Sequence, residues 1–188
     1  MAGLLLAAGS GRRMGLPKAL VREPDGTAWV TRSAAVLAGG GCAPVLVVVG
    51  AAAGEATALV PPSASVVVAA GWAEGMGASL RAGLSALAEV AGPAVVAAVV
   101  GLVDTPGVTA EVVRRLVASA PSGEALARAA YDGRPGHPVL LGRAHWAPVV
   151  ASARGDEGAR RYLAVRDVLL VECGDAGHGR DVDGPGAG

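Results

Sequence analysis

Several residue types are missing from this chain or rare in it. Its 188 residues include no Asn, Gln, Ile or Phe, only two cysteines, and only 3% aromatic residues. Cys42 and Cys173 stand far apart and outside any metal-ligand spacing, which argues against a disulfide framework and favours a reducing compartment. The shortage of aromatic residues argues against base-stacking platforms. The formal net charge of zero argues against nucleic-acid binding by bulk electrostatics.

Long hydrophobic runs are missing too. No uninterrupted apolar stretch reaches the roughly 20 residues that a bilayer crossing needs. The apolar segment Ala2–Ala8 has no basic stretch before it, and glycines and arginines follow it at once, so we expect no signal peptide. We therefore predict a cytoplasmic protein without a membrane partner.

What is present is a hydrophobic chain of ordinary domain size. Hydrophobic residues make up 52% of it and its mean hydropathy is +0.48, which excludes disorder. The length fits one domain, which we place at residues 1–188. Lys18 is the only lysine, although arginine is frequent. A lysine that persists in such a composition, inside a glycine-rich loop, indicates either that arginine would not serve there or that it is a stray surface residue.

Apolar runs alternate with helical stretches along the chain, which predicts a mostly parallel sheet covered on both faces. The expected fold is a single-domain, three-layer α/β/α structure of the Rossmann-like type, whose ligands bind beyond the carboxyl ends of the strands. The predicted strands are Ala2–Ala8, Val45–Val49, Ala64–Ala69, Ala94–Val103, Ala125–Tyr131, Val139–Leu141 and Val168–Glu172. The predicted helices are Thr27–Leu37, Ala52–Leu59, Met76–Val90, Thr109–Ala118, Gly142–Val150 and Glu157–Leu163, with Thr27 and Thr109 as caps.

A glycine-rich loop with three cationic side chains follows the first strand, Gly9-Ser10-Gly11-Arg12-Arg13-Met14-Gly15-Leu16-Pro17-Lys18. Glycines allow several backbone N–H groups to approach one anion, which suits a triphosphate. The loop is not a Walker A motif, because Lys18 follows Pro17 and precedes Ala19. The glycine spacing also differs from that of a dinucleotide fingerprint, and a plain turn remains an alternative reading.

The segment from Leu5 to Gly15, with Lys18 three residues later, resembles the signature loop of the MobA-like NTP transferases, which include the molybdenum cofactor cytidylyl- and guanylyltransferases. The resemblance implies a Rossmann-like nucleotidyltransferase in which Arg13 and Lys18 bind the phosphates, while Arg12 takes a more variable place. Ala8 stands where guanylyl-transferring members carry a second glycine, so the loop looks more like the cytidylyl branch. The implied nucleotide-binding residues are Leu6, Ala7, Ala8, Gly9, Gly11, Arg13, Lys18, Gly75 and Ser79.

Two aspartates are candidate metal ligands. Asp104 stands where an apolar strand stops, and a carboxylate there is costly to bury unless it is paired or metal-bound. Asp104-Thr105-Pro106 resembles the family's Asp-Gln-Pro metal motif with Thr105 in place of Gln. Asp183 lies in a segment that resembles the family's Asp-Val-Asp-Thr-Pro with Gly184 in place of Thr. The resemblance implies Mg²⁺ held by Asp104 and Asp183, and a solvated tail is the alternative reading of Asp183.

Three further segments resemble family elements. Gly75-Met76-Gly77-Ala78-Ser79-Leu80 resembles a Gly-Met-x-x-Ser-Leu segment that bounds the nucleotide pocket, with helix capping as the alternative role of Ser79. Gly136-His137-Pro138 resembles the element that faces the acceptor, whereas His145 and His178 are expected to be structural. Gly155-Asp156-Glu157-Gly158-Ala159-Arg160 resembles the family's Gly-Asp-x-Gly-Ala-Arg stretch at the acceptor cleft. Asp156 and Arg160 are therefore acceptor candidates with His137, and capping is the alternative role of Asp156.

The implied activity is transfer of a nucleoside monophosphate from an NTP, CTP favoured, to a phosphorylated acceptor such as molybdopterin, with Arg13, Lys18 and Asp104 as catalytic residues. One alternative is a nucleotidyltransferase for a different acceptor, such as a sugar phosphate. Another is a maturation factor without turnover that binds cofactor for a molybdoenzyme client. A third is a generic glycine-rich α/β domain, which predicts no magnesium-dependent NTP binding.

Overall fold

The computed structural model describes residues 1–182, within which seven strands form a single sheet. The strands are β1 (Ala2–Ala7), β2 (Val45–Val49), β3 (Ser65–Val68), β4 (Ala97–Leu102), β5 (Leu126–Tyr131), β6 (Arg134–Gly142) and β7 (Leu169–Glu172). The helices are α1 (Trp29–Gly39), α2 (Ala53–Leu59), α3 (Met76–Val90), α4 (Ala110–Ser119), α5 (Trp146–Ser152) and α6 (Arg160–Ala164). Short 3-10 helices cover Lys18–Leu20, Trp72–Glu74, Arg143–His145 and Gly155–Glu157.

The sheet is mostly parallel, in the order β3-β2-β1-β4-β6-β5-β7. Only β6 runs against its neighbours, pairing antiparallel with β4 and with β5. The reversal follows from the connection between β5 and β6, which is only two residues long. Asp132 and Gly133 both have positive φ, at 52° and 73°, as a tight hairpin turn requires. The hairpin brings β6 between β4 and β5, and this places the Gly136-His137-Pro138 segment beside β4.

Alternate residues of strand β1 pack into two separate cores. Leu5 and Ala7 of β1 face the layer that contains α1 and α4. Leu4 and Leu6 face the opposite layer, which contains α3 and α5. This two-residue alternation buries both faces of the sheet, as expected for parallel sheets. The predicted three-layer α/β/α fold is confirmed, and the described part of the chain has no helix that combines the length and apolarity needed to cross a membrane.

The sequence predicted most elements closely and a few wrongly. Val45–Val49 and Met76–Val90 are confirmed residue for residue, and Thr109 caps α4 by accepting a hydrogen bond from the N–H of Val112. Thr27 is not a cap: α1 begins at Trp29, because the chain first closes a turn in which the Asp25 carboxylate accepts the N–H of Thr27.

Three segments near the acceptor side differ from the prediction. The strand expected over Val139–Leu141 extends over Arg134–Gly142, because it pairs with strands on both sides. The helix expected over Gly142–Val150 starts with a 3-10 turn and becomes α-helical only at Trp146. The helix expected over Glu157–Leu163 is interrupted at Gly158, whose φ of 54° ends the short 3-10 turn before α6 begins.

Candidate functional site

A cavity of about 360 Å³ opens beyond the carboxyl ends of β1 and β4. We call it the loop cavity, because the glycine-rich loop after β1 forms one wall, with Ala8, Gly9 and Ser10 on its lining. The opposite wall comes from the segment between β3 and the first turn of α3, including Gly75 and Ser79. Its position follows the general rule that ligands of open α/β sheets bind at the strand carboxyl ends.

The glycine-rich loop owes its shape to Gly11. This residue has a φ of 59°, and a Cβ added there would lie 1.9 Å from the main-chain oxygen of Leu16. The Gly11 oxygen accepts the N–H of Met14, which closes the turn. The loop then leads into the 3-10 helix that begins at Lys18. Only glycine fits at this position, so the loop's fold and the placement of Lys18 depend on it.

Lys18 and Asp104 form an ion pair on the wall of the loop cavity. The Lys18 Nζ lies 2.7 Å from an Oδ of Asp104, and the two side chains are 16% and 21% exposed. The pair joins the glycine-rich loop to the end of β4, across 86 positions of sequence. Partial burial strengthens such a charge-assisted hydrogen bond. A cation and a carboxylate are thus held at the place where a nucleotide's phosphates would enter.

The turn that carries Asp104 is held from several sides. Thr105 is buried, and its hydroxyl donates to the Leu102 oxygen over 2.9 Å, so this departure from the family's Gln serves the turn itself. The Arg32 guanidinium of α1 donates to the oxygens of Pro106 and Val108. The N–H of Val182 donates to the main-chain oxygen of Asp104 over 2.9 Å, which brings the end of the described chain against the same turn.

Most predicted nucleotide-binding residues line the loop cavity. They are Leu6, Ala8, Gly9, Lys18, Gly75 and Ser79, together with Asp104. The side chain of Ala7 points instead into the core beneath α1, as strand alternation requires, so only its main chain can face a ligand. Arg12 lines the cavity, whereas Arg13 is exposed elsewhere on the same loop. Ser79 is not a helix cap, because Gly75 occupies that position and Ser79 is buried in the first turn of α3.

Of the two predicted metal ligands, Asp104 lies within the described residues and its role as a ligand stays a prediction. Within residues 1–182, no group of three or more His, Cys, Asp or Glu side chains is arranged to hold a metal ion. Asp183 lies outside the described residues. Magnesium in nucleotide enzymes is commonly held by one or two protein carboxylates, with phosphate oxygens and water completing its shell. Asp104 on the wall of an open cavity suits that mode of binding.

A second cavity, of about 750 Å³, adjoins the first one. We call it the histidine cavity, because His137 lines it. The other two predicted acceptor residues, Asp156 and Arg160, line it as well, so the fold brings all three together. Four residues belong to the lining of both cavities: Leu6, Met76, Leu102 and Asp156. Two molecules bound side by side would therefore meet at this shared wall.

Asp156 lies at this shared wall because Gly75 has no side chain. Gly75 has a φ of 112°, and a Cβ added there would lie 2.4 Å from a carboxylate oxygen of Asp156. The Asp156 side chain caps neither the 3-10 helix in which it lies nor α6, so the capping alternative for this residue is wrong. Asp156 instead lies on the lining of both cavities.

His137 is a neutral imidazole in this setting. Its pKa is lowered to about 4, first by burial and then by the nearby Arg128, against an opposing effect of Asp104. The Tyr131 hydroxyl donates to the main-chain oxygen of His137 over 2.8 Å, which fixes the backbone. A neutral imidazole offers one donor and one acceptor to a ligand.

The other two histidines have structural contacts. The His145 ring lies 2.8 Å from the Tyr162 hydroxyl and 3.0 Å from the Glu124 oxygen. His178 packs against Gly107, and its N–H donates to the Gly107 oxygen. The structural reading of both residues agrees with these contacts.

Sequence reasoning did not single out two side chains that line the cavities. Trp72 lines the loop cavity, where its ring is large enough to contact a nucleobase. Arg128 lines the histidine cavity from the middle of β5. The sequence did contain a signal for Arg128, because a charged residue within the apolar run 126–130 is unusual unless it has a polar partner or ligand.

Comparisons with known proteins agree with this fold. The model of the MobA-like NTP transferase domain family matches residues 3–171. Nicotine blue oxidoreductase from Paenarthrobacter nicotinovorans is 37% identical over 192 residues, covering 96% of this chain and 91% of the relative. The crystal structure of Rv0371c from Mycobacterium tuberculosis is 26% identical, covers 91% of this chain and 86% of its own, and superimposes with a TM-score of 0.76.

Two other solved structures extend the comparison. The Rv0371c protein in complex with manganese is 27% identical, with a TM-score of 0.71 and the same coverage of 91% and 86%. A nucleotidyl transferase from Methanothermobacter is 24% identical, covers 91% of this chain and 86% of its own, and has a TM-score of 0.74. At that level of identity the last similarity is one of fold.

Proposed function

This chain belongs to the MobA-like NTP transferase domain family, and from that premise we propose that it is a magnesium-dependent nucleotidyltransferase. In this proposal an NTP, with CTP preferred, binds in the loop cavity, and a phosphorylated acceptor of the molybdopterin type binds in the histidine cavity. The observation that carries the proposal is the meeting of Lys18, Asp104 and the glycine-rich loop on one wall of a cavity that adjoins a second one.

In the proposed reaction, an oxygen of the acceptor phosphate attacks the α-phosphorus of the NTP in line. A new P–O bond forms to the acceptor, the bond from the α-phosphorus to the bridging oxygen breaks, and pyrophosphate leaves with that electron pair. A phosphate nucleophile is already ionised at neutral pH, so no general base is required. The protein contributes mainly position and charge.

Each wall of the loop cavity has a task in this scheme. The backbone of Gly9 and its neighbours lies against the phosphates, and Lys18 neutralises charge that develops on the departing pyrophosphate. Arg13 stays the predicted second phosphate ligand, and Arg12 already lines the cavity. Neutral His137 can donate a hydrogen bond to the acceptor without adding charge.

A divalent cation fits the chemistry of this wall. Asp104 supplies an oxygen ligand at the cavity. One of its carboxylate oxygens already accepts a hydrogen bond from the cationic Lys18 Nζ, which shows that positive charge is stabilised there. When bound, Mg²⁺ would neutralise phosphate oxygens and polarise the α-phosphate. The Rv0371c structure with manganese supports divalent-cation binding in this fold. Asp183 stays a proposed second ligand, supported by its motif and by the hydrogen bond from the N–H of the preceding Val182 to the main-chain oxygen of Asp104.

The preference for CTP and for a molybdopterin acceptor rests on family resemblance. Ala8 lines the loop cavity where guanylyl-transferring members carry glycine. The volume of the histidine cavity, about 750 Å³, lies within the range of ordinary small-molecule sites. A sugar phosphate as acceptor, or binding without turnover for a molybdoenzyme client, are the alternatives that experiment separates.

Pyrophosphate release tests the proposal. CTP, GTP, ATP and UTP would each be incubated with Mg²⁺, with and without molybdopterin. We expect release that depends on the acceptor, is fastest with CTP and stops when EDTA removes the metal. Pyrophosphate release with a sugar phosphate and not with molybdopterin would identify a sugar phosphate as the acceptor. Magnesium-dependent CTP binding without pyrophosphate release would favour the maturation factor. No binding of any NTP would refute the proposal.

One observation favours a second candidate function. The relative that is 37% identical over 96% of this chain is named nicotine blue oxidoreductase. Both cysteines are buried, and burial raises the pKa of Cys42 to about 11, which argues against thiol redox chemistry. An oxidoreductase built on this chain would therefore need a dissociable hydride donor, for which a nicotinamide nucleotide in the loop cavity is the suitable class.

A spectrophotometric assay separates the two functions. NADH or NADPH oxidation would be followed with 2,6-dichlorophenolindophenol as electron acceptor, beside the Lys18→Ala variant. The nucleotidyltransferase proposal predicts no oxidation above the rate without protein. Nicotinamide oxidation that requires the protein and is slower with the variant would establish the oxidoreductase function.

A further inference from the structure

Arg128 occupies an unusual place for a charged side chain. It lies in the middle of β5, where its neighbours Ala127 and Ala129 are fully buried. Its partner across the sheet is Val139, which lines the same cavity. The pairing of β5 with β6 shifts register between Arg128 and Ala130, and such irregularities re-aim side chains. The bulge and the pairing together direct the guanidinium into the histidine cavity.

The contacts of Arg128 leave most of its charge without a protein counterion. Its Nε and Nη2 both donate to the Gly136 main-chain oxygen, over 3.2 and 3.1 Å. Within residues 1–182, no carboxylate forms an ion pair with it. Partial burial lowers its pKa, and the neighbouring Arg160 lowers it further. A half-buried cation such as Arg128 is disfavoured by a neighbouring like charge unless an anion binds between them.

Arg160 supplies the second cation. It is exposed to solvent at the start of α6 and lines the histidine cavity with Arg128. Three carboxylates line the cavity too, from Asp156, Glu157 and Asp181. In the described chain none of them pairs with either arginine, and Glu157 pairs with Arg161 instead. The cavity thus keeps two guanidinium groups available to a ligand.

The rest of the wall is apolar. Strand and helix residues supply aliphatic side chains that can contact a ring or hydrocarbon body, among them Leu6, Leu80, Val100, Leu102, Val139 and Leu141. The combination of an aliphatic wall and two arginines without carboxylate partners fits a ligand that has an apolar body and an oxyanion. Arginine binds planar or tetrahedral oxyanions through two parallel hydrogen bonds.

We propose that Arg128 and Arg160 form an oxyanion subsite of the histidine cavity, which selects ligands that carry a carboxylate or phosphate on an apolar body. The proposal rests on the proposed function only in identifying that ligand with the acceptor. Arg128 is then a specificity residue, held in place by Gly136 and by the bulge of β5.

Equilibrium binding of three probes with one common body tests the subsite. The probes are 2-naphthyl phosphate, 2-naphthoate and the neutral 2-naphthol, titrated into the full chain by fluorescence. We expect Arg128→Gln to weaken binding of the preferred anionic probe about 10- to 100-fold and to leave 2-naphthol unchanged. Arg128→Lys should restore part of the affinity, because lysine keeps the charge but not the two-pronged geometry. The ratio of phosphate to carboxylate affinity identifies the favoured oxyanion.

Arg134→Gln is the matched control, since Arg134 is an exposed arginine of the neighbouring strand and lies outside the cavity lining. An equal loss in Arg128→Gln and Arg134→Gln would mean non-specific electrostatics and would overturn the subsite, as would wild-type protein that binds neither anionic probe. Should Arg128→Gln fail to fold, the exposed Arg160→Gln gives the same test.

Magnesium–CTP affinity, measured on the same variants, should not change. If the wild type did not bind magnesium–CTP at all, the proposed function would be refuted, but the oxyanion subsite would not.

Discussion

Lys18 shows how a single side chain gets its place from distant parts of the chain. It stands at the end of a loop whose turn requires glycine, and it pairs over 2.7 Å with Asp104 at the end of β4. Composition drew attention to Lys18, because the chain has no other lysine, and the loop motif indicated a role for it. The structure adds the partner, which no local pattern could reveal across 86 positions.

Replacing Lys18 by alanine should lower turnover about 10²- to 10³-fold, because the charge that the proposed mechanism places beside the departing pyrophosphate is lost. The fold should survive, since the side chain lies at a cavity wall and not in either core. Steady-state pyrophosphate release and thermal unfolding of the same preparations measure both effects. Lys18→Arg is the matched control, and we expect it to recover charge but not full turnover. Full activity in Lys18→Ala would remove the proposed mechanism.

His137 should make stability depend on pH in a definite direction. Its pKa is about 4 in the folded protein and about 6.5 when unfolded, so the unfolded chain binds more protons between these values. Stability present above pH 6.5 is therefore lost as the pH falls toward 4, by up to about 3 kcal/mol. Urea unfolding of wild type and His137→Gln at pH 7, 6, 5 and 4.5 gives the free energy of unfolding of each protein as a function of pH. As the pH falls, the free energy of unfolding should decrease more steeply for the wild type than for the variant. Parallel pH dependences would contradict the lowered pKa of His137.

At the scale of elements, the glycine-rich loop offers a test of backbone shape against ligand binding. Gly11 and Gly15 both have positive φ, at 59° and 75°. A side chain at Gly11 would collide with the Leu16 oxygen, whereas a Cβ at Gly15 would meet no atom within 4 Å. Gly15→Ala therefore adds only the cost of left-handed backbone, about 1–2 kcal/mol, while Gly11→Ala also displaces the loop.

We expect Gly11→Ala to weaken magnesium–CTP binding at least about 10-fold, and Gly15→Ala to change it much less. Calorimetric titration of both variants measures the difference, with circular dichroism as the check on folding. Equal affinities in the two variants would show that the loop's shape does not govern nucleotide binding.

The elements also show how far the sequence could be interpreted. Strands such as Val45–Val49 and the long amphipathic helix Met76–Val90 were predictable, because their apolar periodicity is local. Thr27 looked like a cap, but the turn closed by Asp25 determines where α1 begins. Strand β6 was predicted too short, because its length depends on partners on both sides, β4 and β5.

The candidate site was predictable where a motif fixes both residue and position. The loop around Gly9, Asp104 and the predicted acceptor residue His137 line the two cavities as expected. Arg128 was not singled out, because its role depends on a bulge and on a neighbouring arginine from another element. The charge within an apolar run was a local signal for Arg128, but its convergence with Arg160 is a property of the fold that the sequence does not show.

At the scale of the whole molecule, the sheet places two cavities side by side at its carboxyl edge. They share a wall of four residues. In the proposed function, NTP and acceptor would therefore bind together and react without a covalent enzyme intermediate. We therefore expect sequential kinetics, with initial-rate lines that intersect when CTP and acceptor concentrations are varied. Parallel lines would indicate a nucleotidylated enzyme instead, and would contradict direct transfer between the cavities.

Label transfer tests the central claim most directly. The full chain would be incubated with Mg²⁺, molybdopterin and CTP carrying ³²P at the α-position, and in a parallel reaction at the γ-position. The Asp104→Asn variant would serve as the control. Our account predicts that the α-label appears on the acceptor, the γ-label appears in pyrophosphate, and both signals nearly disappear in the variant. Acceptor labelled from the γ-position, or no labelled acceptor while the protein oxidises a nicotinamide nucleotide, would contradict it.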